Sequence, residues 1–399
     1  MHALPLSGVR VLDLTRAFAG PSSAQMLGDL GAEVIKVERP GLGDESRTLG
    51  RAYLKDDKGR ETREGSMYMA VNRNKKGITT DLSSPAGQAL IRKLAAVSDV
   101  FIENYKTGDL KRYGLDYEAI RAVNPRIIYC SITGFGQSGP YSHRPGYDPV
   151  FQGMGGWLAL NGDSDEHPAL VASNPIDMYT GYHASIAILS ALYGRDAGGG
   201  VGQHIDLALL DVSFAACGQR VQDFLVDGRQ PARRRLTGTY YLCSDGAIII
   251  AAANAGQWTR LTQLLGRPDL QTDPRFADHH LRMRNQDVLV PIIGEIVRKR
   301  TVQDMLEALE AAGIPNGPVY GYRQAFDDPH IKHRDLLVES PHPVGGSVKL
   351  LRNPIRFSET PITKYQAPPT LGQHTDEVLH ELLDMDEAAI AALRKEGAI

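Results

Sequence analysis

Between Val9 and Val37 the chain alternates strand, turn, helix and strand, and the alternation returns between Gly77 and Ile132. Val9 to Leu14 (VRVLDL) has the composition of a buried strand. It runs through Thr15-Arg16-Ala17-Phe18-Ala19-Gly20-Pro21 into the helical pattern SSAQMLGDLG. Pro21 suits a first helical position and Gly31 a helix stop. A second strand, Glu33 to Val37, ends at Glu38-Arg39-Pro40-Gly41. The series continues with a strand at Gly77 to Asp81, a helix opening at Ser83-Ser84-Pro85, a strand at Asp99 to Glu103, a helix at Tyr117 to Val123 and a strand at Arg126 to Ile132. Such βαβ units connect with one hand and bury both faces of the sheet, so the pattern predicts an α/β fold with a mostly parallel sheet. Ligands in such folds sit at the carboxyl ends of the strands. The predicted site is therefore lined by Ala17 to Gly20, Glu38-Arg39, Asn104-Tyr105 and Thr133 to Gln137.

Further along, Val171 to Arg195 enters through Pro175-Ile176, sets down Asp177 and runs into an apolar helix. Ala184, Ile188, Ala191 and Leu192 recur there at spacings of three and four. A carboxylate at this position has two readings. It can cap the helix, accepting from the amides of Met178 to Thr180, or it can act as a nucleophile beside backbone donors. Near Gly228 the composition changes. Tyr240 to Ala252 has a Ser-Asp-Gly turn between strand-like runs, and helical stretches follow near Trp258 to Leu265, Val288 to Arg298 and Val302 to Ala312. The expected division is a large domain over residues 1–227, a smaller α+β domain over 228–328, and a return to the large domain over 329–399. In that last part Asp335 to Phe357 reads as extended chain with a Gly345-Gly346 turn.

A formal net charge of -3 gives no reason to expect nucleic acid or an anionic membrane as partner. Cys130, Cys217 and Cys243 stand far apart, which indicates neither a disulfide framework nor a zinc site. No basic-then-apolar leader and no apolar run of spanning length is visible, so a cytoplasmic location is expected. The first turn lacks GxGxxG, which argues against a nicotinamide site even though Glu38 is placed like a ribose-binding acid. No GxSxG marks a serine hydrolase. His279-His280 and His330/His333 lack the carboxylate company of a metal site. What remains suits a polyphosphate nucleotide: Arg39, the Asn72-Arg73-Asn74-Lys75-Lys76 loop, Lys111-Arg112 and the helix start at Pro21.

Taken together, LDLTRAFAGPSSAQMLGDLGAEVIKVERPGLGDESR, NRNKKGITTDL, ENYKTGDLKRYGLDYE, NPRIIYCSITGFGQSGP, GYDPVFQGMGG and the IDMYTG helix entry occur in order. In that series the chain resembles the family III CoA-transferases, of the CaiB/BaiF type that includes formyl-CoA transferase. The resemblance runs to LGQHTDEVL near the C-terminus. It implies a Rossmann-like large domain built from both ends of the chain, a smaller domain between, and two subunits interlocked as rings. Coenzyme A and acyl-CoA are implied as substrates, with no permanently bound cofactor and no metal. Positions matching the family's CoA contacts are Ala17, Phe18, Arg39, Thr80, Asp81, Leu82, Ser83, Asn104, Tyr105 and Arg112. The matching catalytic position is Asp177, and the implied reaction exchanges CoA between an acyl-CoA and a small carboxylic acid through an aspartyl anhydride and an aspartyl-CoA thioester. In that mechanism the helix N-terminus keeps Asp177 ionised, so one side chain both caps and attacks.

The 2-methylacyl-CoA racemases share the fold and need a His–Asp pair for proton transfer. Their histidine position reads Tyr147 here, in Gly146-Tyr147-Asp148, and a phenol is a poor match for a base poised near neutrality. A CoA-binding protein without turnover is a further alternative, opposed by the retained Asp177. Phe18 stands where formyl-CoA transferase has a glutamine, which argues against an oxalate-type acceptor. Arg233 to Tyr241 replaces the family's usual Gly-Asn-x-His-Pro loop. Its arginines, Arg234 foremost, have two readings: a solvated loop, or a clamp on the second carboxylate of a dicarboxylic acid. Gln137, Tyr147 and Arg234 are the expected substrate-pocket residues.

Overall fold

The computed structural model describes residues 3–162, 164, 166–231 and 239–399. The chain divides into two compact units, one formed by residues 1–231 with 335–399 and the other by 232–334.

In the first unit six strands form one sheet: β1 (Arg10–Asp13), β2 (Glu33–Glu38), β3 (Lys75–Thr79), β4 (Val100–Glu103), β5 (Ile128–Thr133) and β6 (Gln203–Ala208). Their order is β3-β2-β1-β4-β5-β6 and every pairing is parallel. This is the Rossmann order, with its switch point between β1 and β4. Alternate residues of each strand face opposite layers. Val11, Val34 and Ile102 pack on one side with Ala24, Leu27, Ile176, Ala184 and Ile188. Leu12, Ile35 and Phe101 pack on the other with Leu90, Ile91, Leu94, Val378 and Leu379.

Four helices matter for the site: α1 (Ala19–Asp29), α2 (Pro85–Ala96), α3 (Asp148–Met154) and α4 (Pro175–Ala197). α1 ends as its sequence predicts, with Gly31 at φ 106° and its N–H bonded to the Gly28 carbonyl. α4 lies against α1 at close range. A Cβ on Gly181 would stand 2.1 Å from Ser22 Oγ and 2.8 Å from the Ala19 carbonyl oxygen. The C-terminal segment closes the β3 edge, where His374 Nδ1 accepts the Gly77 N–H at 3.0 Å and the His374 N–H reaches the Gly77 carbonyl.

Several described elements are not anticipated by the sequence, a hairpin and α3 among them. A hairpin of Tyr53–Lys55 and Glu61–Gly65 lies in a stretch too polar to show alternation. α3 falls inside a Gly-rich run that carries no helical signal. Its seven residues are too few to establish helical periodicity.

The second unit has an antiparallel sheet of β7 (Thr239–Leu242), β8 (Ala247–Ile250) and β9 (Asn316–Pro318), ordered β9-β8-β7. Ser244-Asp245-Gly246 makes the predicted turn. Trp258, Leu261, Phe276, Ile293, Val297 and Met305 form its core. No described helix is long and apolar enough to cross a membrane.

Candidate active site

The turn after β1 is held by charges buried beneath it. Asp13 accepts Lys75 Nζ at 2.9 Å and the Thr15 N–H at 2.9 Å. Lys75 also donates to the Pro21 carbonyl and to Asn72 Oδ1, both at 2.9 Å. Lys36 donates to Asp44 Oδ2 at 2.8 Å and to the Thr15 carbonyl. All four ionisable side chains are inaccessible to water, which is tolerable only because each is paired and hydrogen-bonded. Burial drives the Lys75 ammonium down to about 8 against the pull of Asp13. For Asp13 burial acts upward, but Lys75 and Lys36 outweigh it and hold the carboxyl below its ordinary value. Asp44 Oδ1 then accepts the Ala17 N–H at 3.1 Å and both polar groups of Ser46. Ala17 sits at φ 65°, a region that disfavours a Cβ, so the turn depends on this support.

The loop Asn72 to Lys76 is therefore not a phosphate cradle. Lys75 is buried on Asp13, and Arg73 and Asn74 bond Asp29. Lys76 meets Glu377 and Glu381. Nearby carboxylates already neutralise these cations. Glu38 is likewise occupied. It accepts Arg47 through both oxygens, Tyr68 Oη and the Asp44 N–H, leaving no place for a ribose.

At the switch point, the Arg16 N–H donates to Asn104 Oδ1 and Asn104 Nδ2 donates to the Arg16 carbonyl, both at 2.8 Å. The ends of β1 and β4 are thereby locked together. The Arg16 guanidinium lies 4.7 Å from the Tyr105 ring centre, and the Tyr105 N–H bonds Glu103 Oε2. A cleft of 180 Å³ opens here, lined among others by Ala17, Phe18, Asn104, Tyr105, Tyr147 and Asp177. No histidine is among the described residues that line it.

Asp177 is the third residue of α4 and is half-buried. Its carboxyl does not cap the helix. Asn174 occupies the cap position in a left-handed conformation without a side-chain bond, and Asp148 supplies the acceptor instead. Asp148 Oδ2 takes the N–H of Ile176 at 2.7 Å and of Asp177 at 3.0 Å. Gln152 Nε2 holds the other oxygen of Asp148 at 2.5 Å. The expectation that Asp177 caps α4 and is kept ionised by it is thus corrected. Burial, and then the negative charge of Asp148, push the Asp177 carboxyl up to about 7. No described cation forms an ion pair with Asp177.

The remaining expected residues are distributed along the same sheet edge. Thr80 to Ser83 follow β3, Arg39 follows β2 and is exposed, and Arg112 lies exposed beyond β4 against Tyr113. Ser83 bonds Asp81 Oδ1 through its N–H and hydroxyl, and Leu82 packs on the core. Of the expected contacts, only Ala17, Phe18, Asn104 and Tyr105 share the cleft with Asp177 and Tyr147. Gln137 lies in a separate 50 Å³ pocket with Glu103, Ser131 and His204. Arg234 and its neighbours lie outside the described residues. No group of three or more His, Cys, Asp or Glu suited to a metal occurs among the described residues. The sequence reading missed Asp148, Asp44 and Arg144. Asp148 was legible as an acid at the start of a Pro-containing segment, yet nothing local linked it to Asp177.

A family model described as CoA-transferase family III matches residues 6–375. The chain is 39% identical over 391 residues to a succinate–glutarate CoA-transferase of Agrobacterium fabrum, covering 96% of this chain and 97% of that protein. It is 37% identical over 402 residues to a succinyl-CoA:glutarate CoA-transferase of Homo sapiens, covering 99% and 90%. A crystal structure of a CaiB/BaiF family protein from Brucella suis superposes with a TM-score of 0.85 at 39% identity, covering 96% of this chain and 100% of that one.

Proposed function

This chain belongs to the family III CoA-transferases, and from that premise we propose that Asp177 is the nucleophile of a CoA exchange between short dicarboxylic acids. The protein is a CoA-transferase that acts on small organic acids. Both relatives described above are named for succinate or succinyl-CoA and glutarate, which supports a dicarboxylic pair here. The observation that carries the assignment is the placement of Asp177. Its carboxyl has no cationic partner among the described residues and lines the switch-point cleft with Ala17, Phe18, Asn104 and Tyr105.

In this reading a carboxylate oxygen of Asp177 attacks the thioester carbonyl of the donor. The C–S bond breaks, giving an aspartyl mixed anhydride and CoA thiolate. The thiolate attacks the aspartyl carbonyl, the anhydride C–O bond breaks, and the donor acid leaves behind an aspartyl-CoA thioester. The acceptor carboxylate attacks that thioester and restores an anhydride and a thiolate. Finally the thiolate attacks the acceptor's carbonyl and frees Asp177. One thioester replaces another, so no external energy source enters the balance. The reciprocal Arg16–Asn104 bonds and the Asp44-supported turn hold the cleft wall against which CoA lies, reducing the orientational cost of each attack.

The test is isotopic. An acceptor carrying ¹⁸O in its carboxylate must leave one ¹⁸O in the Asp177 side chain after a single turnover, read by peptide mass spectrometry. Full exchange activity in Asp177→Ala would overturn the assignment.

We also read the exposed apolar residues Tyr179, Tyr182, Ile186 and Tyr193 of α4 as a face covered by a second copy of the chain. Light scattering that gives a monomeric mass at micromolar concentration would count against this.

A further inference from the structure

The Asp177 cleft contains a positive charge that the transfer chemistry does not use. Arg144 lines the cleft, is exposed, and forms no ion pair with any described carboxylate. It is nonetheless held in place. Its guanidinium lies 3.8 Å from the centre of the Tyr141 ring, and the Arg144 backbone N–H bonds the Tyr141 carbonyl at 2.8 Å. Tyr141 packs edge-on against Phe135 at 5.7 Å between ring centres, and Phe135 against the fully buried Phe151 of α3 at 5.3 Å. An aromatic ladder thus runs from the core to Arg144, so little side-chain entropy remains to be lost on binding an anion.

Arg144 and Asp177 share one cleft without neutralising each other. A cation and a carboxyl that pair neither with each other nor with any other described residue leave room for a molecule between them. The cleft's 180 Å³ lies below the roughly 300–1,000 Å³ of pockets for drug-sized ligands, a scale suited to a small acid. Of the other cations lining it, Arg16 is stacked on Tyr105 and tied through its backbone to Asn104, and Lys106 follows Tyr105 in the chain. Both stand at the joined ends of β1 and β4, where CoA is proposed to run. Arg144 enters from the segment leading into α3, whose Asp148 bonds the Asp177 N–H. Resting on the dicarboxylate reading above, we propose that Arg144 is a specificity-determining residue: it binds the distal carboxylate of the acid while the proximal carboxylate reacts at Asp177.

The experiment compares glutarate with valerate, an acid of equal chain length that lacks the second carboxylate. Succinyl-CoA serves as donor, because in a double-displacement scheme kcat/KM for the acceptor is independent of the donor half-reaction. Charge-assisted bonds contribute about 1.5–3 kcal/mol. Arg144→Ala is therefore expected to lower the glutarate-to-valerate ratio of kcat/KM by about 10- to 150-fold. Arg144→Lys should recover part of the ratio, and Tyr141→Leu, which removes the ring beneath the guanidinium, should lower it less than Arg144→Ala. A ratio unchanged in Arg144→Ala overturns the assignment even if both rates fall together, since that pattern describes a CoA contact or a structural role. Wild-type protein that transfers CoA to neither acid overturns the dicarboxylate reading, and the role of Arg144 falls with it.

Discussion

The carboxylate of Asp148 accepts the backbone N–H of Asp177 at 3.0 Å, so the acid that caps α4 and the acid facing the cleft are different residues. The division has a chemical consequence. A cap must remain an acceptor, and its negative charge sits close enough to disfavour a second anion. Asp177 is raised to about 7 by burial and by this neighbour, which makes it a stronger nucleophile once ionised and a less populated one in acid.

The pH dependence follows from that value. Because the attacking form is the carboxylate, kcat/KM should rise with pH in proportion to the ionised fraction and level off above about 7. A profile already flat from pH 5 to 8 would contradict the raised carboxyl.

Asp148→Asn keeps an oxygen acceptor for the two α4 amides and removes the charge. The acid limb of the kcat/KM profile should then move to lower pH while the fold persists. Arg16, Glu45, Lys106 and Arg144 also line the cleft, but they are common to both proteins and do not account for a difference. A limb that stays in place would show that burial alone raises Asp177.

Asp177 should also affect stability. A carboxyl whose folded pKa lies above its unfolded one contributes stability below the ordinary carboxylate range, and that stability is lost as pH rises through the folded value of about 7. Asp177→Asn should therefore be the more stable protein at pH 8, by a melting shift of about 2–4 °C for each kcal/mol gained. The gain should shrink toward pH 4.5. A larger gain in acid than at pH 8 would reverse the sign of this argument.

Lys36→Met would leave Asp44 buried without its cation. The expected loss is about 3–5 kcal/mol in urea unfolding, accompanied by a higher KM for the acyl-CoA because Asp44 holds the Ala17 turn. Pairing it with Asp44→Leu should cost less stability than the single change, since no buried charge is then stranded.

Gly181→Ala places a methyl 2.1 Å from Ser22 Oγ and 2.8 Å from the Ala19 carbonyl oxygen, one turn beyond Asp177. The hydroxyl can rotate away, but the backbone oxygen cannot. The helices must separate, at about 1–3 kcal/mol, and the shift carries Asp177 with it, so kcat should fall more than KM changes. Wild-type kcat in this variant would mean that α4 tolerates displacement.

Much of the sheet was legible because its strands are short apolar runs ended by Gly, Pro and Asp, signals contained within a few residues. Val9 to Leu14, Glu33 to Val37 and Asp99 to Glu103 all emerge as strands within a residue or so of their predicted limits. α3 was not legible, and neither was the status of the cations in Asn72 to Lys76. Nothing near Lys75 in sequence announces that Asp13, 62 residues earlier, will meet it without water.

By itself the sequence determined most strands of the parallel sheet and the presence of one acid at the mouth of the α4 helix. These depend on local periodicity and on motifs in a fixed order. Only the tertiary structure decided that Asp148 caps the helix, that burial and then Asp148 raise the Asp177 carboxyl, and that Arg144 pairs with no described carboxylate while Lys36, Arg73 and Lys75 are paired and largely buried. Ionisation and pairing are sums over everything within a few ångströms, and Asp148 and Asp177, 29 residues apart, become neighbours only when the chain has folded.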